Sequence, residues 1–335
     1  MVKPTINDIV RIAGVSPQTV AQVMDSSSRL SEVERDKIEQ INAELGHSLD
    51  VQQDTRAKPA NLLIGIVYDA SAFPFLAQVQ QGVAEAIRGS NFAAAAVLVS
   101  NRDEPPGNAI QAFVEHHRPT GLLLLPPYSQ TEELARLAAR NGCSIGGLGP
   151  GAEDMGKNIV ALDEREAVKS AINYLFVLGH RRIGFVSGPQ SHTSAKLREL
   201  GFLDAMAEHE LDRGAQLIAN GDYSFRSGLE AGKMLLDVSP RPTALFASND
   251  EMAAGLIHAA RERGLHVPRD LSIIGFEDTA IAQQIFPALT TVRLPYADMA
   301  RRGAIRLIGP EQAVQTAPLV FADLVTRAST GPAPG

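Results

Sequence analysis

The sequence predicts a small all-α unit at the N-terminus, followed by a large α/β region made of two similar lobes. Apolar residues at helical spacing predict the all-α unit. From Leu62 onward, apolar runs of strand length alternate with amphipathic helices, a pattern typical of buried parallel strands. The strands are too many for one open sheet with this number of helices. We therefore expect two lobes, with a ligand cleft outside the carboxyl ends of their strands.

Three short helices are predicted within residues 5–46. Gly14 permits a tight turn between the first and the second helix. Ser16 is a predicted N-cap, and Pro17 occupies the first helical position, where its missing N–H costs nothing. Ser31 and Glu34 have the spacing of a capping box for the third helix. Together these features predict a compact three-helix unit.

The α/β region has a regular order of strands and helices. The predicted strands are residues 62–68, 93–99, 121–126, 144–148, 158–162, 182–187, 243–248, 271–276 and 290–294. The predicted helices lie near residues 75–89, 107–117, 130–141, 164–178, 194–209, 225–237, 251–264, 280–285 and 296–308. These elements set the expected domain boundaries. The boundaries are a headpiece over 1–46, a linker or hinge over 47–60, a two-lobed domain over 61–328, and a disordered Pro/Gly-rich tail over 329–335. Within the two-lobed domain, lobe 1 is expected over about 61–161 and 292–320, and lobe 2 over about 162–291 and 321–328.

Composition limits the class of protein and its compartment. The hydrophobic fraction of 44% is that of a globular protein. Cys143 is the only cysteine, which excludes an internal disulfide and suits a reducing cytoplasm. The first residues lack the apolar core of a signal peptide, and no apolar run is long enough to cross a membrane. We therefore expect a cytoplasmic protein without a membrane partner.

The charge of the N-terminal segment is unusual for a nucleic-acid-binding unit. The whole chain carries a net charge of −7. Residues 1–60 hold seven Lys and Arg against nine Asp and Glu, a net charge of −2. Proteins gain affinity for DNA by neutralising phosphates with Lys and Arg. If this segment binds DNA, it makes few phosphate contacts.

Five sequence strings carry a resemblance to a known family. The segment from Thr5 to Val20, TINDIVRIAGVSPQTV, resembles the helix-turn-helix of the lactose-repressor (LacI/GalR) family. Further strings similar to that family follow in the family's order: LGHRRIGF (178–185), RPTALFASND (241–250), VPRDLSIIGF (267–276) and PALTTVR (287–293). The resemblance covers almost the whole chain. It implies a helix-turn-helix headpiece joined to a two-lobed, periplasmic-binding-protein-like effector domain.

The resemblance implies a transcriptional repressor that binds double-stranded operator DNA as a homodimer, because two-fold symmetric operators need two recognition helices. In the family pattern, Pro17, Gln18 and Gln22 face bases, and glutamine can recognise adenine. The other expected DNA contacts are Thr5, Ser16 and Thr19 on phosphates, together with Arg29 and Arg56. The hinge departs from the family: Gln53-Asp54-Thr55-Arg56 replaces an Ala-Arg-x-Leu stretch whose leucine wedges into the minor groove.

The resemblance also implies an effector site for a sugar or another small polar metabolite. Arg198 is expected to hydrogen-bond hydroxyls or a carboxylate of the ligand. The remaining expected site residues are Asn249 and Glu277 at strand ends, the aromatic side chains Phe73, Tyr223 and Tyr296, and Asp69 after the first strand. Each has a structural alternative: Asn249 can cap a helix, Arg198 can lie on a helix surface, and the tyrosines can be packing residues. Glu277 stands where the family usually has Asp, which implies a changed pocket.

Other functions remain open beside this one. The headpiece could be a three-helix bundle that does not touch DNA, the whole chain could be a solute-binding protein, or it could sense a ligand after losing specific DNA binding. An enzyme has little support. The GxSxG match at 142–146 lies where a helix leads into a strand, the reverse of a nucleophile elbow. No nucleotide-binding motif occurs, and His116-His117 adjoin on one helix, so we expect no catalytic residues, cofactor or metal.

Overall fold

Two six-stranded sheets frame the region from residue 60 onward. The structure is a computed structural model, and it describes residues 61–99, 106–150, 159–309 and 319–335. The headpiece and the linker, with their predicted helices, lie outside the described residues. Each sheet is the centre of one lobe.

Lobe 1 is a parallel sheet covered by helices on both faces. Its strands are β1 Asn61–Tyr68, β2 Ala93–Leu98, β3 Pro119–Leu124, β4 Ser144–Leu148, β5 Ile159–Leu162 and β11 Leu319–Val320. Its helices are α1 Leu76–Ile87, α2 Pro106–His117, α3 Glu132–Arg140 and α9 Tyr296–Ile308. The strand order is β11-β5-β4-β3-β1-β2, and every described pair is parallel.

Lobe 2 repeats this plan with one antiparallel strand. Its strands are β6 Ile183–Ser187, β7 Ile218–Asn220, β8 Ala244–Ala247, β9 Ser272–Glu277, β10 Thr290–Arg293 and β12 Asp323–Val325. Its helices are α4 Glu164–Val177, α5 Thr193–Glu208, α6 Phe225–Leu236, α7 Asp250–Glu262 and α8 Ala280–Gln284. The order is β12-β10-β9-β8-β6-β7, with β12 antiparallel to β10.

The chain crosses between the lobes three times. It passes from β5 to α4, from β10 to α9, and from β11 to β12. The second crossing lies later than the sequence boundary, because Val292 and Arg293 pair with Phe276 and Glu277 of lobe 2. The boundary expected at 292 therefore falls inside β10.

Glycines allow two helix pairs to approach closely. A Cβ atom at Gly82 of α1 would collide with the backbone carbonyl of Ala297 in α9. In lobe 2, Gly228 of α6 and Gly255 of α7 meet each other's helix backbone in the same way. Any larger residue at these positions forces the helices apart and opens the packing behind them.

The largest apolar cluster includes residues of both lobes. It holds Ile64 and Leu123 of lobe 1 together with Phe185 and Phe276 of lobe 2. Tyr296, the first residue after the second crossing, belongs to the same cluster. Apolar packing thus runs continuously beneath the region where the lobes meet.

The C-terminal tail is ordered, which corrects the expectation of disorder over residues 329–335. Ser329 is fully buried; its hydroxyl donates to the carbonyl of Ile273 at 2.6 Å and accepts from the amide of Thr290 at 2.8 Å. Ala333 donates to the carbonyl of Leu178 at 2.9 Å. The tail forms no helix or strand, but partners distant in sequence hold its backbone in place.

Candidate functional site

The candidate site is a cleft between the two lobes. It lies at the carboxyl ends of strands, where parallel α/β sheets bind ligands. Lobe 1 contributes the residues that follow β1, β3 and β4, among them Ser71, Leu125 and Gly149. Lobe 2 contributes the first turns of α5 and the end of β9, where Glu277 lies.

A buried ion cluster forms the polar centre of the cleft. Arg198 is only 3% exposed, and its Nε donates to Glu164 Oε2 at 2.7 Å. Its Nη1 donates to the carbonyl of Ser248 and lies 3.5 Å from Glu277 Oε1. The guanidinium also stands over the ring of Phe276, 4.1 Å from its centroid. The alternative of a surface arginine is therefore wrong.

The environment sets the charges of this cluster. Burial disfavours the charged guanidinium, but Glu164, Tyr223 and Glu277 raise the pKa of Arg198 above its ordinary value, so it stays protonated. Burial raises the pKa of the Glu277 carboxyl to about 8; Arg198 opposes this rise, while Asp250 and Glu164 add to it. Near neutral pH, Glu277 is therefore largely protonated and can donate a hydrogen bond as well as accept one.

Backbone strain accompanies Glu277. Its φ is 109° and that of Asp278 is 52°, both in the region that favours glycine. The side chains of Glu277 and Asp278 consequently make contacts in different parts of the structure. Glu277 lines the cleft, whereas the side chain of Asp278, which is 4% exposed, accepts from Arg293 Nε at 2.7 Å and Arg327 Nη2 at 2.6 Å. Arg293 ends β10 beside the second crossing, and Arg327 follows β12.

Aromatic rings form two walls of the cleft. Phe75 and Tyr296 stack at a centroid distance of 4.0 Å with an interplanar angle of 6°. Tyr223 lies 5.6 Å from the ring of His192. Burial raises the pKa of both tyrosines, so their hydroxyls remain protonated donors at neutral pH. Flat apolar rings with hydroxyl tips suit a ligand with both apolar faces and polar edges.

Of the expected effector residues, Arg198, Tyr223, Glu277 and Tyr296 line the cleft. Asn249 does not line it: its side chain caps α7 by accepting from the amide of Met252 at 2.9 Å, and it donates to the carbonyl of Tyr223 at 2.9 Å. The expected capping role of Asn249 is thus confirmed, a role compatible with ligand contact, and the same side chain holds the backbone of Tyr223.

Two lobe 1 residues fit the expectation less well. Phe73 is 54% exposed, is absent from the cleft lining, and packs edge-on against Tyr68, with ring centroids 6.0 Å apart. Asp69 is buried, and its carboxylate accepts from the amide and hydroxyl of Ser71, so it orders the loop that carries Ser71 to the cleft. The stacking ring on this side is Phe75, two residues beyond the expected one.

Several residues that line the cleft were not predicted from the sequence. Glu164, His192 and Ser194 all line the cleft, and Ser194 Oγ donates to Glu164 Oε1 at 3.2 Å. Glu164 directly follows the N-cap Asp163, whose side chain accepts from the amide of Glu166. Acidic residues in the first turn of a helix stabilise that helix. The sequence position of Glu164 is explained by this effect, so it did not show that the side chain is buried in the cleft.

The expected DNA contacts all lie outside the described residues. They are Thr5, Ser16, Pro17, Gln18, Thr19, Gln22, Arg29 and Arg56.

Other chemical features in the described region are structural. Cys143 is buried between α3 and β4, and burial raises the pKa of its thiol to about 12, so it is no nucleophile at neutral pH. His116 and His117 are both exposed, with ring centroids 6.1 Å apart. Over the described residues, no group of three or more His, Cys, Asp and Glu side chains could hold a metal ion. Within the same ranges, no helix has the length and apolar character needed to span a membrane.

Comparison with known proteins agrees with this architecture. Residues 5–58 match the model of bacterial regulatory proteins of the lacI family, and residues 172–330 match the periplasmic binding protein-like domain. The transcriptional regulator DegA of Bacillus subtilis is 30% identical over 337 residues, covering 98% of this chain and 99% of that protein.

Solved structures agree along nearly the full length. A lac repressor dimer bound to its operator and an anti-inducer has a TM-score of 0.69 and 26% identity, covering 98% of this chain and 100% of that one. The regulator CelR in complex with cellobiose has a TM-score of 0.69 and 25% identity, covering 97% and 99% of the two chains. The fold and its cleft define a two-lobed ligand-binding regulator of the periplasmic-binding-protein type. The chain belongs to the lacI family of bacterial regulatory proteins.

Proposed function

We propose that this protein is a transcriptional repressor that binds operator DNA as a homodimer and is controlled by a sugar or sugar derivative in the cleft. The observation that carries the proposal is the buried cluster of Arg198, Glu164 and Glu277 in the cleft of a chain that also holds the family's DNA-binding segment. Buried polar groups of this kind, walled by Phe75 and Tyr296, suit a hydroxylated ring.

The relatives support each part of the proposal. One similar structure is a repressor dimer on operator DNA, and another holds cellobiose. For this chain, Pro17, Gln18 and Gln22 are the proposed base contacts, while Thr5, Ser16 and Thr19 are the proposed phosphate contacts. Arg29 and Arg56 complete the proposed DNA surface, and Arg56 fits a narrow A·T-rich minor groove.

We propose that effector binding and operator binding are linked through the relative arrangement of the two lobes. An effector that binds one arrangement of the lobes better than another shifts the population between them. The coupling is reciprocal. If the effector changes the affinity for the operator by a given factor, the operator changes the affinity for the effector by the same factor. We propose residues 47–60 as the segment that carries this linkage. The repressor is proposed to act in the cytoplasm and without catalysis.

An electrophoretic mobility shift tests the DNA function. The probe is the upstream region of the protein's own gene, with random duplex as competitor, at low and physiological salt. Gln18→Ala should lose about 1–3 kcal/mol of specific binding free energy, because it removes one base contact. Gln40→Ala, in the predicted third helix, is the matched control and should bind like the unaltered protein. Equal affinity for the upstream region and random duplex at every salt concentration contradicts the proposal.

A second candidate function is ligand sensing with weakened specific DNA binding. The net charge of −2 over residues 1–60 and the hinge Gln53–Arg56 favour it. In this case, the thermal shift with an effector remains, while the mobility shift with the upstream region disappears between low and physiological salt.

A further inference from the structure

The two walls of the cleft differ in chemistry. On the side of lobe 1 and the second crossing, six apolar side chains line the cleft, and all six belong to the largest apolar cluster: Phe75, Leu125, Leu148, Leu162, Leu294 and Met299. The acidic and basic side chains of the described lining all belong to lobe 2, and they are Glu164, His192, Arg198 and Glu277. We call these two surfaces the apolar wall and the polar wall.

Among the described lining residues of lobe 1, two side chains carry a hydroxyl, and neither adds a free partner to the apolar wall. The hydroxyl of Ser71 donates to Asp69 Oδ1 of the same loop. Burial, and then the nearby Glu277, raise the pKa of the Tyr296 phenol, so this hydroxyl stays protonated and lies within electrostatic range of the polar wall. The ring of Tyr296 stacks on Phe75 and so extends the apolar wall.

The backbone behind the apolar wall is engaged as well. The amide of Leu125 donates to the carbonyl of Val67 at 2.9 Å, and the carbonyl of Leu125 accepts from the amide of Tyr128 at 2.9 Å. The amide of Gly149 donates to the carbonyl of Val160 at 3.2 Å. A ligand hydroxyl at this wall therefore finds few partners for its hydrogen bonds.

A free sugar ring suits only one of the two walls. Its hydroxyls project around the whole rim, so those on one edge meet the polar wall, where Glu277 and the phenols of Tyr223 and Tyr296 can pair with them. The hydroxyls on the opposite edge meet the apolar wall and lose water without a replacement partner. Each such hydroxyl weakens binding by about tenfold or more. An apolar group in the same place strengthens binding, because its surface leaves water.

We propose that the effector is a sugar derivative with an apolar aglycone, and that the apolar wall recognises the aglycone while the polar wall recognises the hydroxyls. An aromatic aglycone fits this wall, because the stacked pair of Phe75 and Tyr296 presents flat apolar surface. The apolar wall is then the surface that distinguishes the effector from the free sugar. This inference rests on the proposed function, since it names the ligand class of the same cleft.

A matched ligand panel provides the first test, by calorimetry with the full-length protein. Glucose, galactose and cellobiose are compared with the methyl and phenyl β-glycosides of glucose and galactose, and with phenol and benzyl alcohol as aglycones without a sugar. The phenyl glycoside should bind at least about tenfold more tightly than the corresponding free sugar, with the methyl glycoside between them. Glucose, galactose or cellobiose binding as tightly as a phenyl glycoside overturns the proposal.

Met299→Gln tests the apolar wall directly. Met299 is 1% exposed, and glutamine has nearly the length of methionine but adds a donor and an acceptor for a ligand hydroxyl. The ratio of the phenyl glycoside affinity to the free sugar affinity should fall by about tenfold. Met299→Leu, the matched control, should keep the ratio of the unaltered protein. An unchanged ratio in a folded Met299→Gln protein overturns the proposal.

Tyr223→Phe provides the corresponding change on the polar side, and it leaves the apolar wall intact. It removes one phenol that pairs with ligand hydroxyls, so it should weaken the free sugar and the phenyl glycoside by the same factor. The ratio of the two affinities should stay that of the unaltered protein. A ratio that falls by about tenfold in Tyr223→Phe shows that the two walls do not divide the recognition between them, and this also overturns the proposal.

These experiments separate the ligand class from the proposed function. If phenol or benzyl alcohol binds and no sugar or glycoside does, the apolar recognition stands and the proposed sugar class fails. If a free sugar binds best and releases the operator, the proposed function stands and the apolar recognition fails. If no compound of the panel binds, the apolar recognition fails, while the mobility shift still decides the DNA function.

Discussion

Asn249 Nδ2 donates to the backbone carbonyl of Tyr223 at 2.9 Å, so the residue that begins α7 also fixes an aromatic wall of the cleft. Tyr223 has a φ of 69°, a conformation that non-glycine residues adopt at a cost. The hydrogen bond from Asn249 holds the chain in this conformation. One side chain thereby joins helix stability to the shape of the site.

Substitution of Asn249 separates these two roles. Asn249→Ala loses the helix cap and should lower the free energy of unfolding by about 0.5–2 kcal/mol. Asn249→Asp keeps an oxygen that accepts from Met252 but loses the donor to Tyr223. It should therefore keep more of its stability in urea unfolding than Asn249→Ala, yet show weaker effector binding by calorimetry. Effector binding by Asn249→Asp equal to that of the unaltered protein contradicts this role.

Removal of Arg198 should be strongly destabilising. Arg198→Met leaves two buried carboxylates without their cation, and loss of one partner of a buried pair costs about 3–5 kcal/mol. The double variant Arg198→Met/Glu164→Met removes one of those carboxylates and should recover part of the loss. Urea unfolding of the unaltered protein, Arg198→Met, Glu164→Met and the double variant measures the coupling. A double variant less stable than Arg198→Met shows that Glu164 acts independently of Arg198.

Stability should fall as the pH rises from 7 to 8.5. Burial raises the pKa of Glu277 to about 8 and that of Asp250 to about 7, although hydrogen bonds from Thr291 and Thr279 oppose the rise at Asp250. In the unfolded chain both carboxyls lose their protons near pH 4 to 4.5, so the folded state binds more protons and loses stability as pH rises through these values.

His180 and His192 do not reverse this trend. Burial lowers the pKa of both, so both are neutral in the folded chain above pH 7, and in the unfolded chain they lose their last protons just above this value. Melting temperatures measured from pH 7 to 8.5 check the prediction. A melting temperature that stays level or rises over this interval contradicts a protonated Glu277 in the folded protein.

The C-terminal tail should contribute measurably to stability through Ser329. Ser329→Ala leaves the amide of Thr290 and the carbonyl of Ile273 without the hydroxyl that they share. Burying such groups unpaired costs about 1–3 kcal/mol. Pro334→Ala, at an exposed position of the same tail, is the matched control. Equal melting temperatures for the two variants contradict the structural role of the tail.

The α/β fold follows from the sequence because apolar runs and helix caps are local signals. Every strand predicted from residue 62 onward has its counterpart in the structure. The short strands β7, β11 and β12 were not predicted, because two or three residues carry no detectable period. The order of the tail was not predicted for another reason: Ser329 is held by residues 39 and 56 positions away in the sequence.

The site was only partly predictable. Arg198, Glu277, Tyr223 and Tyr296 were found through the family resemblance, and they line the cleft. Residue types alone did not show that Glu164 reaches Arg198, because the two lie 34 positions apart on different helices. They also did not distinguish Phe73 from Phe75. One of these rings faces solvent and the other stacks on Tyr296, and the loop geometry after β1 decides which.

The paired arrangement of Glu277 and Asp278 has a mechanical consequence. Consecutive left-handed residues leave the peptide between them little freedom to rotate. A ligand that displaces Glu277 is therefore expected to displace Asp278 as well. The hydrogen bonds of Asp278 with Arg293 and Arg327 would then change. We therefore expect a ligand in the cleft to alter the ion pair between Asp278 and Arg293, the residue that ends β10 beside the second crossing between the lobes.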